Sequence, residues 1–285
     1  MAATPDPDEQ RAELIDRWEF ASSGWGKRAQ RMREAGMAVS TWLIEQLSLQ
    51  PGQRLLELAA GPGDTGFLAA ELIAPGGTLI TSDATEGMLA VARERAQQFD
   101  VKNVEFKQLQ IEWIDLPTAS VDAIVCRWGY MLTVDPAAGM SDARRVLKPG
   151  GRFAIAVWDR APENPWATIP TEAFVQGGYL DPPERGGVGM FALADPDVLQ
   201  QMLEDAGFVE VVIDSVEVIR EYDAFEDYWG ETLDLSPTHS RTLEPLSDEQ
   251  RADVERRVRE LTATYTDAGG ALVLPGRSLV ASASA

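Results

Sequence analysis

The segment Leu55-Leu56-Glu57-Leu58-Ala59-Ala60-Gly61-Pro62-Gly63-Asp64-Thr65-Gly66 carries the clearest chemical pattern in the chain. An apolar run that reads as a buried strand leads into glycines spaced G-x-G-x-x-G, and an apolar helix follows. Glycines at such a turn let the backbone approach a ligand closely. Asp83, at the end of the next strand-like run, offers a carboxylate that can accept both hydroxyls of a ribose. On the pattern alone, NAD and S-adenosylmethionine are both candidates. Charge separates them. A dinucleotide sets a pyrophosphate against the turn and the following helix N-terminus. Here Glu57 and Asp64 occupy the turn, and no Lys or Arg occurs between Leu55 and Ala92. Such a turn repels pyrophosphate and suits a sulfonium and an ammonium, so S-adenosylmethionine is the expected cofactor.

The elements that would position these groups follow from hydrophobic periodicity. Strands are expected over residues 54–59, 78–82, 104–109, 121–126 and 153–158, with helices over 67–74, 88–99 and 136–147 between them. Strand and helix alternating through short connections predict an α/β fold with a doubly wound, mostly parallel sheet. Upstream, residues 1–9 read as disordered, and residues 9–20 and 27–49 as two helices. Downstream, residues 160–195 hold too many Pro and Gly for regular layering. A helix over 196–206, a strand over 209–213, helices over 225–234 and 247–264 and a last strand over 278–283 complete the pattern. Ser247 and Gln250 have capping-box spacing. The chain therefore divides into an N-terminal helical cover (1–49), a cofactor-binding core (50–160) and capping insertions with the last strands (161–285), all within one domain.

Composition narrows the function. The chain has 285 residues, 45% of them hydrophobic, and a formal charge of −21. That charge disfavours nucleic acid and anionic lipid as partners. One cysteine, Cys126, cannot form an intrachain disulfide or a multi-cysteine zinc site, and one histidine, His239, excludes a site needing two imidazoles, so no metal is expected. No apolar run is long enough to span a bilayer and the first residues lack signal-peptide character, so a soluble, cytoplasmic protein is expected.

Residues 50–160 resemble the class I S-adenosylmethionine-dependent methyltransferases, most of all the ubiquinone/menaquinone-biosynthesis type. Four stretches carry the resemblance in order: residues 56–66, then Ser82-Asp83-Ala84 with Glu86-Gly87-Met88-Leu89, then Val121-Asp122-Ala123-Ile124-Val125-Cys126-Arg127, then Arg145-Val146-Leu147-Lys148-Pro149-Gly150-Gly151-Arg152-Phe153. The resemblance implies that Glu57, Ala59, Gly61 and Gly63 hold the methionine part, that Asp83 holds the ribose, and that Ala84 and Met88 flank the adenine. Ala59 stands where the commonest loop has its first glycine. Gln110-Ile111-Glu112 stands where the family has an acid-Ala-Glu triplet for the adenine amino group, and the Gln110 amide oxygen can accept that bond. Arg127, with Cys126 and Trp128, would face the methyl-transfer centre. A seven-stranded sheet with an antiparallel last strand is implied as well.

Several residues have plainer readings. Asp122 reads as a hydrogen-bonding residue of the fold, Cys126 as an inert strand cysteine and His239 as a solvated surface histidine. Trp128 and Trp158 end strands, where open α/β sheets bind ligands. With Tyr130, and with Trp18 and Trp25 from the N-terminal cover, they would wall an acceptor site and attract a sulfonium. Methyl transfer from a sulfonium rests on positioning; no catalytic residue is assigned, and Tyr130, Asp159 and His239 are the candidates should an oxygen acceptor require a base. The acceptor is expected to be a small or medium-sized molecule held between the N-terminal helices, residues 160–195 and residues 225–265. Rival readings are a non-catalytic S-adenosylmethionine-binding protein, which the glutamine at position 110 favours slightly, and an NAD-linked oxidoreductase. Arg127-Trp128-Gly129-Tyr130 replaces an N-P-P-Y-like amine-binding tetrad, and a single cysteine argues against an arsenic methyltransferase.

Overall fold

The computed structural model describes residues 6–183 and 187–285, so the expectation of disorder at residues 1–5 lies outside the described residues. From residue 6 the chain is ordered. Asp6 caps α1 (Pro7–Ala35) by accepting from the N–H of Asp8, with Pro7 in the first turn. α1 continues through the predicted gap at 20–27 and ends at Gly36, beyond which α2 (Met37–Leu47) begins. Gly24 and Gly26 do not break the helix because they serve its packing. A Cβ on Gly24 would collide with the Asp234 carbonyl, and one on Gly26 would lie 3.1 Å from Val91 Cγ2.

The core then alternates as expected: β1 (Arg54–Leu58), α3 (Asp64–Ala70), β2 (Thr78–Asp83), α4 (Glu86–Gln98), β3 (Val104–Gln108), β4 (Val121–Arg127), α5 (Pro136–Val146) and β5 (Leu147–Trp158). β1, β2 and β4 are buried almost end to end, as parallel strands covered on both faces must be. Asp122 ties the sheet's lower edge, accepting from Arg54 N at 2.8 Å and Lys148 Nζ at 2.7 Å.

Residues 160–195, expected to be irregular, contain α6 (Pro165–Gln176). Pro165 sits in the first turn, where its missing N–H costs nothing. Pro170 lies inside the helix and cannot bond to the carbonyl four residues back, that of Trp166; the Tyr228 hydroxyl donates to that oxygen instead, at 2.8 Å. Next come α7 (Pro196–Asp205), β6 (Val209–Glu217), β7 (Arg220–Tyr222), α8 (Phe225–Leu235), α9 (Pro237–Leu243), α10 (Asp248–Thr262), β8 (Leu272–Leu274) and β9 (Arg277–Ser284). The capping box of Ser247 and Gln250 is formed. Periodicity did not reveal α9 or the small β7–β8 pair.

The main sheet has the order β3-β2-β1-β4-β5-β9-β6, with β9 antiparallel between β5 and β6. Ile169, Phe174, Tyr228 and Val258 belong to a second apolar cluster, which binds α6, α8 and α10 to the β7–β8 pair and makes a cap over the strands' carboxyl ends.

Candidate active site

A cavity of about 620 Å³ lies between the carboxyl ends of β1, β2 and β4 and the cap, with α1 along one side. At the sheet end, the chain turns on left-handed residues. Gly61 (φ 51°) and Gly63 (φ 85°) meet that demand freely, whereas Ala59 (φ 48°) holds it with a side chain, at the position where the commonest loop has glycine. A Cβ on Gly61 would meet no atom of the described residues within 4 Å, so this wall is bare backbone.

Glu57 and Asp83 brace the turn. Glu57 Oε1 accepts from Gly66 N at 2.7 Å and Oε2 from the Thr81 hydroxyl at 3.3 Å. Burial pushes its carboxyl up to about 7, against the pull of the Gly66 N–H and of Arg127. Asp83 accepts from Gly61 N with Oδ2, and from the backbone and hydroxyl of Thr85 with Oδ1, all at 3.0 Å. Burial raises its pKa too, with those donors opposing.

Charge at the loop is not as chain order suggested. Arg95 from α4 pairs with Asp64 Oδ1, and Arg127 Nη2 lies 3.6 Å from Asp64 Oδ2. Folding thus delivers two cations to a segment that contains none. Asp64 is neutralised beneath the turn, while Glu57, Asp83 and Arg127 line the cavity.

Farther round the wall, Ala84 and Met88 follow Asp83, and Leu109, Gln110, Ile111 and Glu112 lie along the other side. Gln110 is exposed. Glu112 accepts from Val134 N (2.6 Å) and Asp135 N (2.9 Å) and pairs with Arg11, so it pins α1 and the segment after β4 to the site.

The aromatic residues sort themselves. Trp128, at a left-handed φ of 62° that a bulky residue rarely adopts, stacks on Trp158 at 4.2 Å and donates from Nε1 to Ser278 Oγ at 3.0 Å. Trp18 and Trp25 meet edge to face at 6.0 Å, and Trp25 Nε1 reaches the Leu235 carbonyl at 3.2 Å. All four line the cavity. Tyr130 does not: it is fully buried in the core against Phe153, its hydroxyl bonded to the Gly139 carbonyl and its pKa far above 10. It is neither wall nor base. Asp159 is also excluded as a base, since its carboxylate is held by Arg277 and the Arg160 N–H away from the cavity. Cys126 is buried, with its thiol pushed up to about 12, as an inert cysteine should be.

His239 corrects its prediction in the other direction. It is 7% exposed, stacks on Phe174 at 5.2 Å and meets Thr171 Oγ1 through Nε2 at 3.0 Å. Burial depresses its pKa to about 4. Ser236 and Pro237 form the cap and first turn of α9, a helix-start signal that was legible in sequence and that fixes His239 on the cavity wall.

Sequence reasoning missed Trp166, Thr171, Arg220 and Glu231. Arg220 had a signal: in the run 218–222, Val218, Arg220 and Tyr222 alternate with outward Ile219 and Glu221, which places a guanidinium on the buried side of a strand.

The mostly parallel seven-stranded sheet, its glycine turn after β1, and its inserted antiparallel strand define a Rossmann-like methyltransferase fold, for which S-adenosylmethionine is the cofactor. Residues 49–207, more than half the chain, match the family model for a methyltransferase domain, and the chain belongs to that family. It is 32% identical over 190 residues to an arsenite methyltransferase of Halobacterium salinarum, covering 65% of this chain but 46% of that protein, so it spans about half that relative's length. A ubiquinone/menaquinone biosynthesis C-methyltransferase of Shewanella halifaxensis is 28% identical over 178 residues, covering 59% of this chain and 71% of that one. The solved YcgJ protein of Bacillus shares the fold, with a TM-score of 0.57, 21% identity and coverage of 86% and 97%. No helix among the described residues is long and apolar enough to cross a membrane.

Proposed function

We propose that the protein transfers the methyl group of S-adenosylmethionine to a small or medium-sized organic acceptor enclosed in the cavity. The observation that carries this reading is that one cavity joins the glycine turn to an aromatic chamber under the cap. When bound, the cofactor supplies an electrophilic methyl on a sulfonium. The residues present fit it. Three hydrogen bonds already fill Asp83, leaving about one lone-pair site for a ribose hydroxyl and a second once the Thr85 hydroxyl turns away. Glu57 holds the turn and contributes negative charge, while Ala59, Gly61 and Gly63 offer backbone and Arg127 a cation for the methionine carboxylate. Ala84, Met88, Ile111 and the Gln110 amide border the adenine, and Glu112 fixes that border. Trp128 and Trp158 favour a sulfonium through their ring faces. The cap excludes water and orients the acceptor, which supplies most of the acceleration for an in-line displacement. His239, neutral at pH 7, is a weak base for an acceptor hydroxyl.

Arsenite is a poor candidate, because that soft ion needs thiolates and the one thiol is buried and protonated. We place the protein in the cytoplasm, where an unpaired thiol stays reduced. Incubation with S-adenosylmethionine labelled in its methyl group and a panel of organic acceptors tests the assignment: labelled product is expected. Calorimetry detecting no affinity for S-adenosylhomocysteine would refute it, and binding without transfer to any acceptor would favour a non-catalytic binder.

A further inference from the structure

We propose that Arg220 anchors an anionic group of the acceptor, which makes the substrate class a largely apolar monocarboxylate. This deepens the methyl-transfer reading and rests on it for the cavity's purpose. Arg220 is 3% exposed, lines the cavity and lies flat over the Trp166 ring, 3.7 Å from its centroid. Its Nη1 donates to Glu231 Oε1 at 2.9 Å, whereas Nε and Nη2 have no hydrogen-bond partner among the described residues. Those two nitrogens form one edge of the guanidinium, and that edge is the one that grips a carboxylate with two parallel hydrogen bonds. A buried donor without a partner is costly, so an unpaired edge on a side chain that lines the cavity points to a ligand.

Charge selects the ligand. Arg31 Nε lies 3.1 Å from Glu231 Oε2, so Arg31 and Arg220 share a single carboxylate, and the Tyr222 hydroxyl also donates to Glu231 Oε1 at 2.7 Å. Two cations against one anion leave one positive charge, which a monoanion balances and a dianion overshoots. Shape agrees. Trp128 stacks on Trp158, Trp158 meets Trp166 edge to face at 4.9 Å, and Trp166 carries Arg220. This aromatic ladder runs from the end of β4 to the guanidinium, so a flat apolar body anchored at Arg220 extends along it toward the methyl-transfer end.

The test is calorimetry of 2-naphthoate and its neutral isostere 2-naphthamide, with and without saturating S-adenosylhomocysteine. The carboxylate is expected to bind about tenfold or more tighter than the amide. Arg220→Met should abolish that preference while leaving affinity for S-adenosylhomocysteine within about twofold, and Arg220→Lys, which keeps charge but not the two-pronged edge, should retain part of it. Equal binding of the two probes by the unmodified protein, or a preference that survives Arg220→Met, overturns the proposal. Should Arg220→Met fail to fold, the probe pair on the unmodified protein still decides. Loss of S-adenosylhomocysteine binding alone would sink the methyl-transfer reading and leave the carboxylate preference standing.

Discussion

At the sheet end of the cavity the acids meet backbone donors: Glu57 holds the Gly66 N–H, and Asp83 those of Gly61 and Thr85. At the cap end, Arg220 and His239 each keep a buried nitrogen without a hydrogen-bond partner among the described residues. The acids of the first region are anchored before any ligand arrives, and the atoms there without a hydrogen-bond partner, Asp64 Oδ2 and Arg95 Nε, belong to residues off the cavity wall. The second region keeps polar atoms in reserve on the cavity wall, where the proposed function puts acceptor recognition. On that reading the sheet builds the cofactor site, and selectivity comes from residues that the later chain lays over it.

The largest effect expected at the sheet end is on stability. Arg95→Leu leaves Asp64 buried with only the longer Arg127 contact, and should cost about 3–5 kcal/mol by denaturant unfolding; a loss below about 1 kcal/mol would show that Arg127 suffices. At the cap end, His239 should make stability depend on pH. Its folded pKa of about 4 lies below the ordinary 6.5, so the unfolded chain holds more protons between those values, and stability is lost as pH falls through that window. The loss should reach on the order of 3 kcal/mol and flatten in His239→Asn.

Asp83→Ala should weaken S-adenosylhomocysteine binding by about 1–3 kcal/mol in calorimetry, and unchanged affinity would remove Asp83 from the site. Glu57 acts on stability in the opposite sense to His239, over a span of pH of the same width. Its carboxyl titrates near 7 when folded, above the ordinary 4.5 of a free glutamate, so the folded chain holds more protons in between and stability falls as pH rises through that window. A bound cation favours the carboxylate, so S-adenosylmethionine should bind severalfold tighter near pH 8 than near pH 6, with proton release, and Glu57→Gln should erase the difference. The smallest change is Trp25→Phe, which removes the bond to the Leu235 carbonyl and should cost about 1 kcal/mol in thermal unfolding.

The strands of the core were legible because a parallel strand covered on both faces shows as a nearly continuous apolar run; 55–58, interrupted only by Glu57, and 123–126 are of this kind. The end of α1 was not, because Ser22-Ser23-Gly24 looks like punctuation, whereas Gly24 is there to let Asp234 approach. α6 was hidden by Pro170; the Trp166 carbonyl that it orphans is satisfied from a helix some sixty residues later, by Tyr228. The loop residues Glu57, Gly61, Gly63 and Asp83 could be picked out by spacing, but the pairing of Arg95 and Arg127 with Asp64 could not.

Sequence by itself determined the sheet, the glycine turn and the cofactor class, because these depend on residue types at short fixed spacings. Tertiary structure alone decided the charge around Asp64, the burial of His239 and Tyr130, and the meeting of Arg220 with Glu231 and Trp166. These depend on which faces of distant elements meet, and packing sets that only once the whole chain has closed over its core.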